Sequence, residues 1–272
     1  MKVWSMRSLP WLGILVGSCY SPESRGAAVF DSQPDTPLDG TIDAATDGRT
    51  TGRAAGAQVQ WNFDEGTGIT AADSAALVPA YDLVRNEATL ANSEWSNGGL
   101  TFTAGTHART ALMLTRPTTN CLANQTATLE AWFVPKNETQ GILTRPAIIA
   151  GLSASLNSRS FEISQVGLHI IGRTRTAAPN ALEMQASDVV TAGALIHVVL
   201  VQEQATQRLY INGVEKDSQI SPLMAWESYA MFVGGDVGLN ATWLGTVRAV
   251  VLYCSALTAA QVQGNFAFGP TL

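Results

Sequence analysis

Apolar and polar residues alternate with a period of two along most of the chain after residue 57. In the segment AQVQWNFDE, the apolar residues Val59, Trp61 and Phe63 alternate with polar ones, which is typical of a half-buried strand. The chain contains ten or eleven such segments; the others include GGLTFTA, TLEAWFVP, AIIAGL, RSFEISQV, GLHIIGR, ALEMQA, LIHVVLVQE, QRLYINGVEK, YAMFVGG and WLGTVRAVVLY. This pattern predicts an all-β fold, an antiparallel two-sheet sandwich.

Two local signals refine this prediction. Asn212-Gly213 lies between two strand segments, and both residue types tolerate positive φ, so a type I′ hairpin turn is expected there. Near the end of the chain, Thr258 and Gln261 have the spacing of a capping box before Val262. We therefore expect one short C-terminal helix and no other.

The amino terminus has the pattern of an export signal. Lys2 and Arg7 precede an apolar run over residues 9–16, which is too short to span a bilayer. The run ends in VGSC, which resembles the bacterial lipobox. This resemblance implies a lipoprotein signal peptide over residues 1–18 and a lipid on the Cys19 thiol. The alternative is an ordinary secretory signal in which Cys19 is incidental.

Residues 19–56 have the composition of a linker. They are rich in Ser, Pro, Gly, Ala, Thr and Asp, with almost no apolar periodicity. Such a segment buries too little surface to offset its ordering entropy. We expect a flexible acidic linker that joins the lipid anchor to one domain over residues 57–272.

Composition excludes several classes of protein. The 272 residues are 46% hydrophobic and 14% charged, so the chain is able to form a core and is not a disordered protein. The formal net charge is −6, with only 16 Lys and Arg residues, so we expect no nucleic-acid partner. Together with the signal, these features predict an exported protein of the cell envelope, in the outer membrane or at the cell surface rather than in the inner membrane.

Six segments occur in an order that resembles a known family: WNFDEGTGITAADSA, GGLTFTAG, TATLEAWFVP, IHVVLV, LYINGV and GTVRAVVLYCSALTAAQV. They resemble a laminin-G-like domain of the concanavalin A-like lectin/glucanase superfamily, over nearly all of residues 57–268. The resemblance implies a two-sheet jelly roll in which the TLEAWF strand lies near the final strand. It also implies a role in binding or adhesion more often than in catalysis.

The resemblance leaves calcium binding open. Many relatives hold calcium, but the acidic pair that commonly precedes their last strand is absent here, where the chain reads GTVRA. The remaining candidate metal ligands are Asp64, Glu65 and Asp73, with Asp82 and Asp236 more distant in sequence. The alternative is that these acids end a strand and cap a turn. We expect no other cofactor.

The resemblance also implies that two cysteines lie close together in the fold. Cys121 precedes the TLEAWF strand and Cys254 ends the last strand, so the two meet if those strands are antiparallel neighbours. An exported protein folds under oxidising conditions, which favours a disulfide over two free thiols.

The sequence does not have the acid pair of a glycosidase. Glycosidases of this fold carry paired acids at alternating strand positions, and no predicted strand has such a pair. Glu215 and Asp217 have the spacing but follow the hairpin turn, where an exposed position is expected. The three histidines, His107, His169 and His197, lie apart without a metal-binding spacing. We therefore expect a protein that is not an enzyme.

The predicted function is that of a surface-anchored binding or adhesion module for carbohydrate or a protein partner. Trp226 and Trp243 lie beside predicted loops and are the candidate ligand-binding residues, because aromatic rings stack on sugars. Two alternatives remain: a degenerate glycoside hydrolase or lyase, and a structural envelope protein without a small ligand.

Overall fold

The computed structural model describes residues 53–96, 98–155, 158–177, 182–238 and 241–270. The predicted signal peptide, the lipid attachment residue Cys19 and the predicted linker before residue 53 lie outside the described residues. Among the helices in these ranges, none combines the length and the apolar character that a membrane span requires.

Sixteen strands lie in the described ranges. They are β1 (Ala57–Trp61), β2 (Thr70–Ala71), β3 (Leu83–Arg85), β4 (Ser93–Trp95), β5 (Leu100–Phe102), β6 (Ala108–Thr110), β7 (Thr126–Pro135), β8 (Ala147–Ser155), β9 (Ser158–Val166), β10 (His169–Thr174), β11 (Leu182–Ala186), β12 (Ile196–Glu203), β13 (Thr206–Ile211), β14 (Val214–Ile220), β15 (Ala230–Val233) and β16 (Gly245–Tyr253). A 3₁₀ helix spans Glu87–Asn92, and two α-helices span Thr115–Asn124 (α1) and Ala259–Phe268 (α2).

The strands form two antiparallel sheets. Sheet A has the order β14-β13-β12-β7-β16-β5-β4, with β1 also paired to β16, and sheet B has the order β11-β10-β9-β8-β15-β6-β3-β2. Strand β7, which carries TLEAWF, pairs with the final strand β16. The predicted all-β, two-sheet jelly-roll sandwich with a short C-terminal helix is therefore confirmed.

The core lies between the two sheets, where the apolar positions of the alternating strands meet. The largest fully buried side chains of the core are Trp61, Trp243, Tyr81, Phe63, Phe102, Phe133 and Phe161. Tyr253 and Phe232 are also buried but lie on the outer faces of their sheets, where Tyr253 clusters with Val262 of α2 and Phe232 packs against His107. Each outer face is therefore partly covered.

Both local predictions are confirmed. Asn212 and Gly213 have φ angles of 51° and 77°, as a type I′ turn between β13 and β14 requires. The Thr258 side chain accepts a hydrogen bond from the Gln261 backbone, and the Gln261 side chain accepts one from the Thr258 backbone. This capping box begins α2.

Helix α1 is the element that the hydrophobic pattern misses. Its sequence TRPTTNCLAN is rich in threonine and asparagine, which are weak helix formers, and its N-cap residue Leu114 makes no side-chain capping bond. The helix ends at Gln125, which adopts the left-handed conformation. A disulfide joins Cys121 of this helix to Cys254 after β16, as predicted. Tertiary burial and this cross-link stabilise a segment that has little intrinsic preference for helix.

Candidate functional site

The outer face of sheet A is covered by α2. Glu130, in the middle of β7, is fully buried beneath this helix. Its Oε1 atom accepts hydrogen bonds from Trp132 Nε1 at 3.1 Å and His197 Nε2 at 3.2 Å. Its Oε2 atom accepts from Tyr253 OH at 3.1 Å and from Asn265 Nδ2 of α2 at 2.7 Å. Both carboxylate oxygens are thus fully engaged inside the protein.

Residues before β1 also help to enclose Glu130. The Arg53 Nε atom lies 3.7 Å from Glu130 Oε1, and the backbone N–H of Ala54 donates to Asn265 Oδ1 at 2.7 Å. Burial alone would raise the pKa of Glu130, but the hydrogen bond and charge of His197, with the charge of Arg53, outweigh it and hold the pKa below its ordinary value. A carboxylate that is ionised at neutral pH and enclosed in this way has no access to a substrate.

Three rings stack where α2 meets sheet A. The ring centroids of Trp132 and His197 are 4.3 Å apart, and those of Trp132 and Phe266 are 5.9 Å apart. Trp132 and His197 are 2% and 0% exposed, so neither presents an aromatic platform to solvent. The outer face of sheet B is therefore the better place for a ligand.

Strand pairing aligns one row of side chains across the outer face of sheet B. Each neighbour in the row is a register partner of the next: Glu183, Arg173, Glu162, Gly151, Phe232, Arg109 and Val84. Register partners in antiparallel strands have their side chains on the same face of the sheet. The row therefore brings charged residues from four strands, β6, β9, β10 and β11, onto one face of the sheet.

The carboxylates in this row are paired with arginines. Glu162 Oε1 accepts a hydrogen bond from Arg159 Nη1 at 3.0 Å, and Glu183 forms an ion pair with Arg173. Burial raises the pKa of Glu162, and the charges of Arg159 and Arg173 oppose that shift. Because Arg173 lies between Glu162 and Glu183 in the row, the two carboxylates do not face each other across an open cleft, as a glycosidase pair does.

A cavity of about 460 Å³ opens at the other end of the row, between β3, β6 and the loop after β15. We call it the Arg109 cavity. Its lining residues are Val84, Arg85, Asn86, Glu87, His107, Arg109, Ala111 and Val237. A volume between about 300 and 1,000 Å³ is usual for small-ligand sites. Five of the eight lining residues are polar or charged and three are apolar, so the cavity offers hydrogen-bonding groups together with some apolar contact.

His107 and Arg109 give the cavity its electrostatic character. They alternate with the buried Ala108 on β6, so both lie on the outer side of the strand. The ring of His107 packs edge-on against Phe232, with centroids 5.1 Å apart, which fixes its orientation. Burial lowers the pKa of His107, the charge of Arg109 lowers it further, and Asp236 acts in the opposite direction. At neutral pH His107 is therefore uncharged beside the Arg109 cation.

The structure corrects the prediction for Trp226 and Trp243. Trp226 is 5% exposed and packs on Phe161, with ring centroids 4.6 Å apart. Trp243 is fully buried, and its Nε1 atom donates to Gln165 Oε1 at 2.8 Å. Both rings belong to the core between the sheets, because long-range packing buries residues whose sequence neighbours form loops. Neither ring is exposed for stacking on a sugar.

The candidate metal ligands are occupied by backbone amides. Asp73 accepts hydrogen bonds from the N–H groups of Gln60, Ala75 and Tyr81, at 3.0 to 3.1 Å. Glu65 accepts one from Ala72 at 2.6 Å, and Asp64 is exposed. In the part of the chain that the structure describes, no three His, Cys, Asp or Glu side chains are grouped to hold a metal ion. The acids of this segment serve the turn between β1 and β3.

The sequence pattern shows only that His107 lacks a metal-binding spacing, and it does not single out Arg109. A usable signal was present, since HART places both polar residues on the face opposite Ala108. The other walls of the cavity come from β3 and from the loop after β15, which are distant in sequence. Only the pairing of Val84 with Arg109, and of Arg109 with Phe232, assembles the site.

Solved structures with the same fold include a neurotoxin binding domain and a sialidase. The binding domain of botulinum neurotoxin serotype D superposes with a TM-score of 0.59 at 12% identity, covering 78% of this chain and 51% of its own. A Trypanosoma rangeli sialidase in complex with 2,3-difluoro-KDN superposes with a TM-score of 0.59 at 18% identity, covering 83% of this chain and 35% of its own. The present chain thus spans about half of the toxin domain and a third of the sialidase. At these identities the likeness concerns the fold alone.

Sequence comparison supports the same assignment. No curated protein matches the chain significantly. The family model Laminin_G_3, described as the concanavalin A-like lectin/glucanases superfamily, matches residues 110–263. This match covers more than half of the chain, from the end of β6 into α2, and agrees with the two-sheet architecture. The chain belongs to the concanavalin A-like lectin/glucanase superfamily.

Proposed function

We propose that this protein is a carbohydrate-binding module that does not turn over its ligand, and that the Arg109 cavity is its binding site. The observation that carries the proposal is the lining of that cavity, where Arg109, Asn86 and Glu87 offer polar groups at the rim and Val84 and Val237 offer apolar contact. Sugars present hydroxyl groups and apolar ring faces together, so a lining of this mixed kind suits them.

The absence of turnover is part of the proposal. Of the acids in the aligned row, Glu162 is buried against Arg159 and Glu183 is paired with Arg173. Glu130 is enclosed under α2 on the other sheet. A general acid must reach the glycosidic oxygen within hydrogen-bond distance, and these three carboxylates are engaged within the protein. Glu87 is open at the Arg109 cavity, but the described lining of that cavity holds no second carboxylate to form a pair with it. The sialidase among the structural neighbours is the reason to test turnover directly.

A glycan array probed with the full chain tests this function. We expect retention of a restricted set of glycans, with each glycan recovered at unchanged mass after prolonged incubation. Shortened or modified products would overturn the non-enzymatic proposal in favour of a degenerate hydrolase or lyase. Absence of binding to every glycan would favour a protein partner or a structural envelope role.

We also propose that the protein is attached to the cell envelope through a lipid on Cys19. The support is the N-terminal sequence, with its basic start, short apolar run and VGSC end. Cell fractionation of the full chain and of Cys19→Ala tests the anchor. We expect the full chain in the membrane fraction and the variant in the soluble fraction; identical fractionation of the two would contradict lipidation.

A further inference from the structure

The geometry points to an acidic sugar as the ligand of the Arg109 cavity, with its carboxylate bound by the guanidinium of Arg109. This inference rests on the proposed function and narrows it to one chemical class. It depends on three features of the cavity: an arginine without an acidic partner, a buried histidine with an unpartnered nitrogen, and rim groups suited to hydroxyls.

Arg109 is exposed and forms no ion pair or hydrogen bond with the described residues. Three other surface arginines have carboxylate partners, Arg173 with Glu183, Arg175 with Glu227 and Arg208 with Glu203, whereas Arg145 and Arg248, like Arg109, form no ion pair with the described residues. Arginine is a preferred partner of carboxylates because its planar fork makes two parallel hydrogen bonds. The guanidinium of Arg109 therefore has no carboxylate partner among the described residues.

His107 provides the second feature. The residue is 6% exposed and lines the cavity, and its Nδ1 atom is buried without a hydrogen-bond partner among the described atoms. Buried polar atoms in native proteins are nearly always hydrogen-bonded, and Nδ1 lies just beneath the cavity wall, so a small rotation of the ring would let a ligand or water complete the network. Phe232 holds this ring beside Arg109.

The rim matches the neutral part of a sugar. Glu87 is exposed and makes no ion pair in the described ranges, so its oxygens are open to hydroxyl donors. Val84 and Val237 add apolar surface for a sugar ring. An acidic sugar carries a carboxylate and several hydroxyl groups. The Arg109 cation suits the carboxylate, and the Glu87 side chain accepts hydrogen bonds from the hydroxyl groups.

Two other charged residues near the cavity, Arg85 and Asp236, interact with groups inside the protein. The guanidinium of Arg85 donates to Gly68 O at 2.9 Å, Leu90 O at 3.0 Å and Ser93, so it is already occupied. Asp236 is 1% exposed, and its negative charge raises the pKa of His107. One open guanidinium therefore remains, which matches the single charge of a carboxylate better than the higher charge of a phosphate monoester.

Calorimetric titration of the full chain with trigalacturonic acid tests the inference. The control ligand is the fully methyl-esterified trisaccharide, which keeps the sugar rings and hydroxyls but removes the negative charge. We expect the acid to bind at least about tenfold more tightly than the ester, as the loss of one charge-assisted hydrogen-bonded pair implies. A sulfated galactose trisaccharide serves as the alternative anion, and we expect it to bind more weakly than the acid.

Arg109→Gln removes the cation at an exposed position and leaves the core intact. We expect this variant to bind the acid about as weakly as the ester, and Arg109→Lys to have an intermediate affinity because it keeps the charge without the fork. Arg208→Gln, which removes a surface arginine from sheet A, is the matched control and should bind like the unmodified protein. Loss of binding in Arg208→Gln but not in Arg109→Gln would overturn the location.

The outcomes separate this inference from the proposed function. Equal binding of the acid and the ester would overturn the acidic specificity while carbohydrate binding stands. Preference for the sulfated ligand would overturn the carboxylate assignment. If none of the three saccharides binds but neutral glycans on the array do, the acidic inference fails alone; if the array is also blank, the proposed function fails with it.

Discussion

Replacing Glu130 with glutamine is expected to destabilise the domain more than any exposed charge substitution, although the change in shape is small. The carboxylate accepts four hydrogen bonds, two on each oxygen. A glutamine side chain has only one oxygen, and its other terminal group is an NH₂ donor. The variant therefore has to place a donor where the native protein has an acceptor.

Neither orientation of the new amide is satisfactory. If the NH₂ group replaces Oε1, it faces Trp132 Nε1, which is a donor only. If it replaces Oε2, it faces Asn265 Nδ2, and the Asn265 amide is held in place because its oxygen accepts from Ala54. Each orientation leaves one buried donor unsatisfied, at about 1–3 kcal/mol, and also removes the charge beside Arg53 and His197. We expect a total loss of about 3 kcal/mol.

Thermal unfolding of the full chain followed by near-UV circular dichroism measures this loss. For a domain of this size a change of 1 kcal/mol shifts Tm by about 2–4 °C, so Glu130→Gln should lower Tm by about 6–12 °C. Glu203→Gln is the matched control, since that carboxylate is half exposed in an ion pair with Arg208 and should shift Tm by less than about 3 °C. A Glu130→Gln variant that melts within 1 °C of the unmodified protein would refute the argument.

The same pair of proteins gives a pH test. Because the folded pKa of Glu130 is below its ordinary value of 4.5, its carboxylate stabilises the fold above that pH. This contribution is lost as pH falls through the folded pKa. The Tm difference between the unmodified protein and Glu130→Gln should therefore be constant near neutral pH and shrink in strong acid. A difference that grows as pH falls would contradict the assigned direction.

The remaining predictions concern the cross-link, the core and the cavity. Reduction of the Cys121–Cys254 disulfide, which closes a loop of 133 residues, should lower the free energy of unfolding by about 4 kcal/mol, measured by urea unfolding with and without reductant. Trp243→Ala should lower the free energy of unfolding by about 3–5 kcal/mol and lower Tm. A loss of glycan affinity at unchanged Tm would instead show that Trp243 contacts the ligand. Because the pKa of His107 is lowered from its ordinary value of 6.5, affinity for trigalacturonic acid should rise as pH falls below 6.5 and His107 gains a proton, and His107→Gln should remove that dependence.

Much of the fold follows from local patterns. The period of two in strands such as β1 and β5, the Asn212-Gly213 turn and the Thr258 capping box are short-range features, and the structure has all three, whereas strands such as β8 and β12 are buried on both faces. The disulfide followed once the TLEAWF strand was expected beside the last strand, because that neighbourhood brings Cys121 to Cys254. Local periodicity, however, does not identify α1, which owes its helical form to burial rather than propensity.

The site was less predictable because it depends on pairings between distant segments. Trp243 lies beside a loop in sequence, yet Gly245 lets the chain approach so closely that an added Cβ would lie 2.4 Å from the Trp243 ring. The tryptophan is thereby enclosed. Conversely, His107 and Arg109 form a cavity only because β6 pairs with β3 on one side and β15 on the other. No spacing within a single segment encodes either outcome.

The location of the binding site is the central claim, and a two-dimensional ¹H–¹⁵N NMR titration of the full chain with trigalacturonic acid tests it most directly. We predict that the largest shift changes fall on residues 84–87, 107, 109, 111 and 237, which line the Arg109 cavity. Shift changes concentrated instead on α2 and sheet A, or around Trp226, would contradict the account.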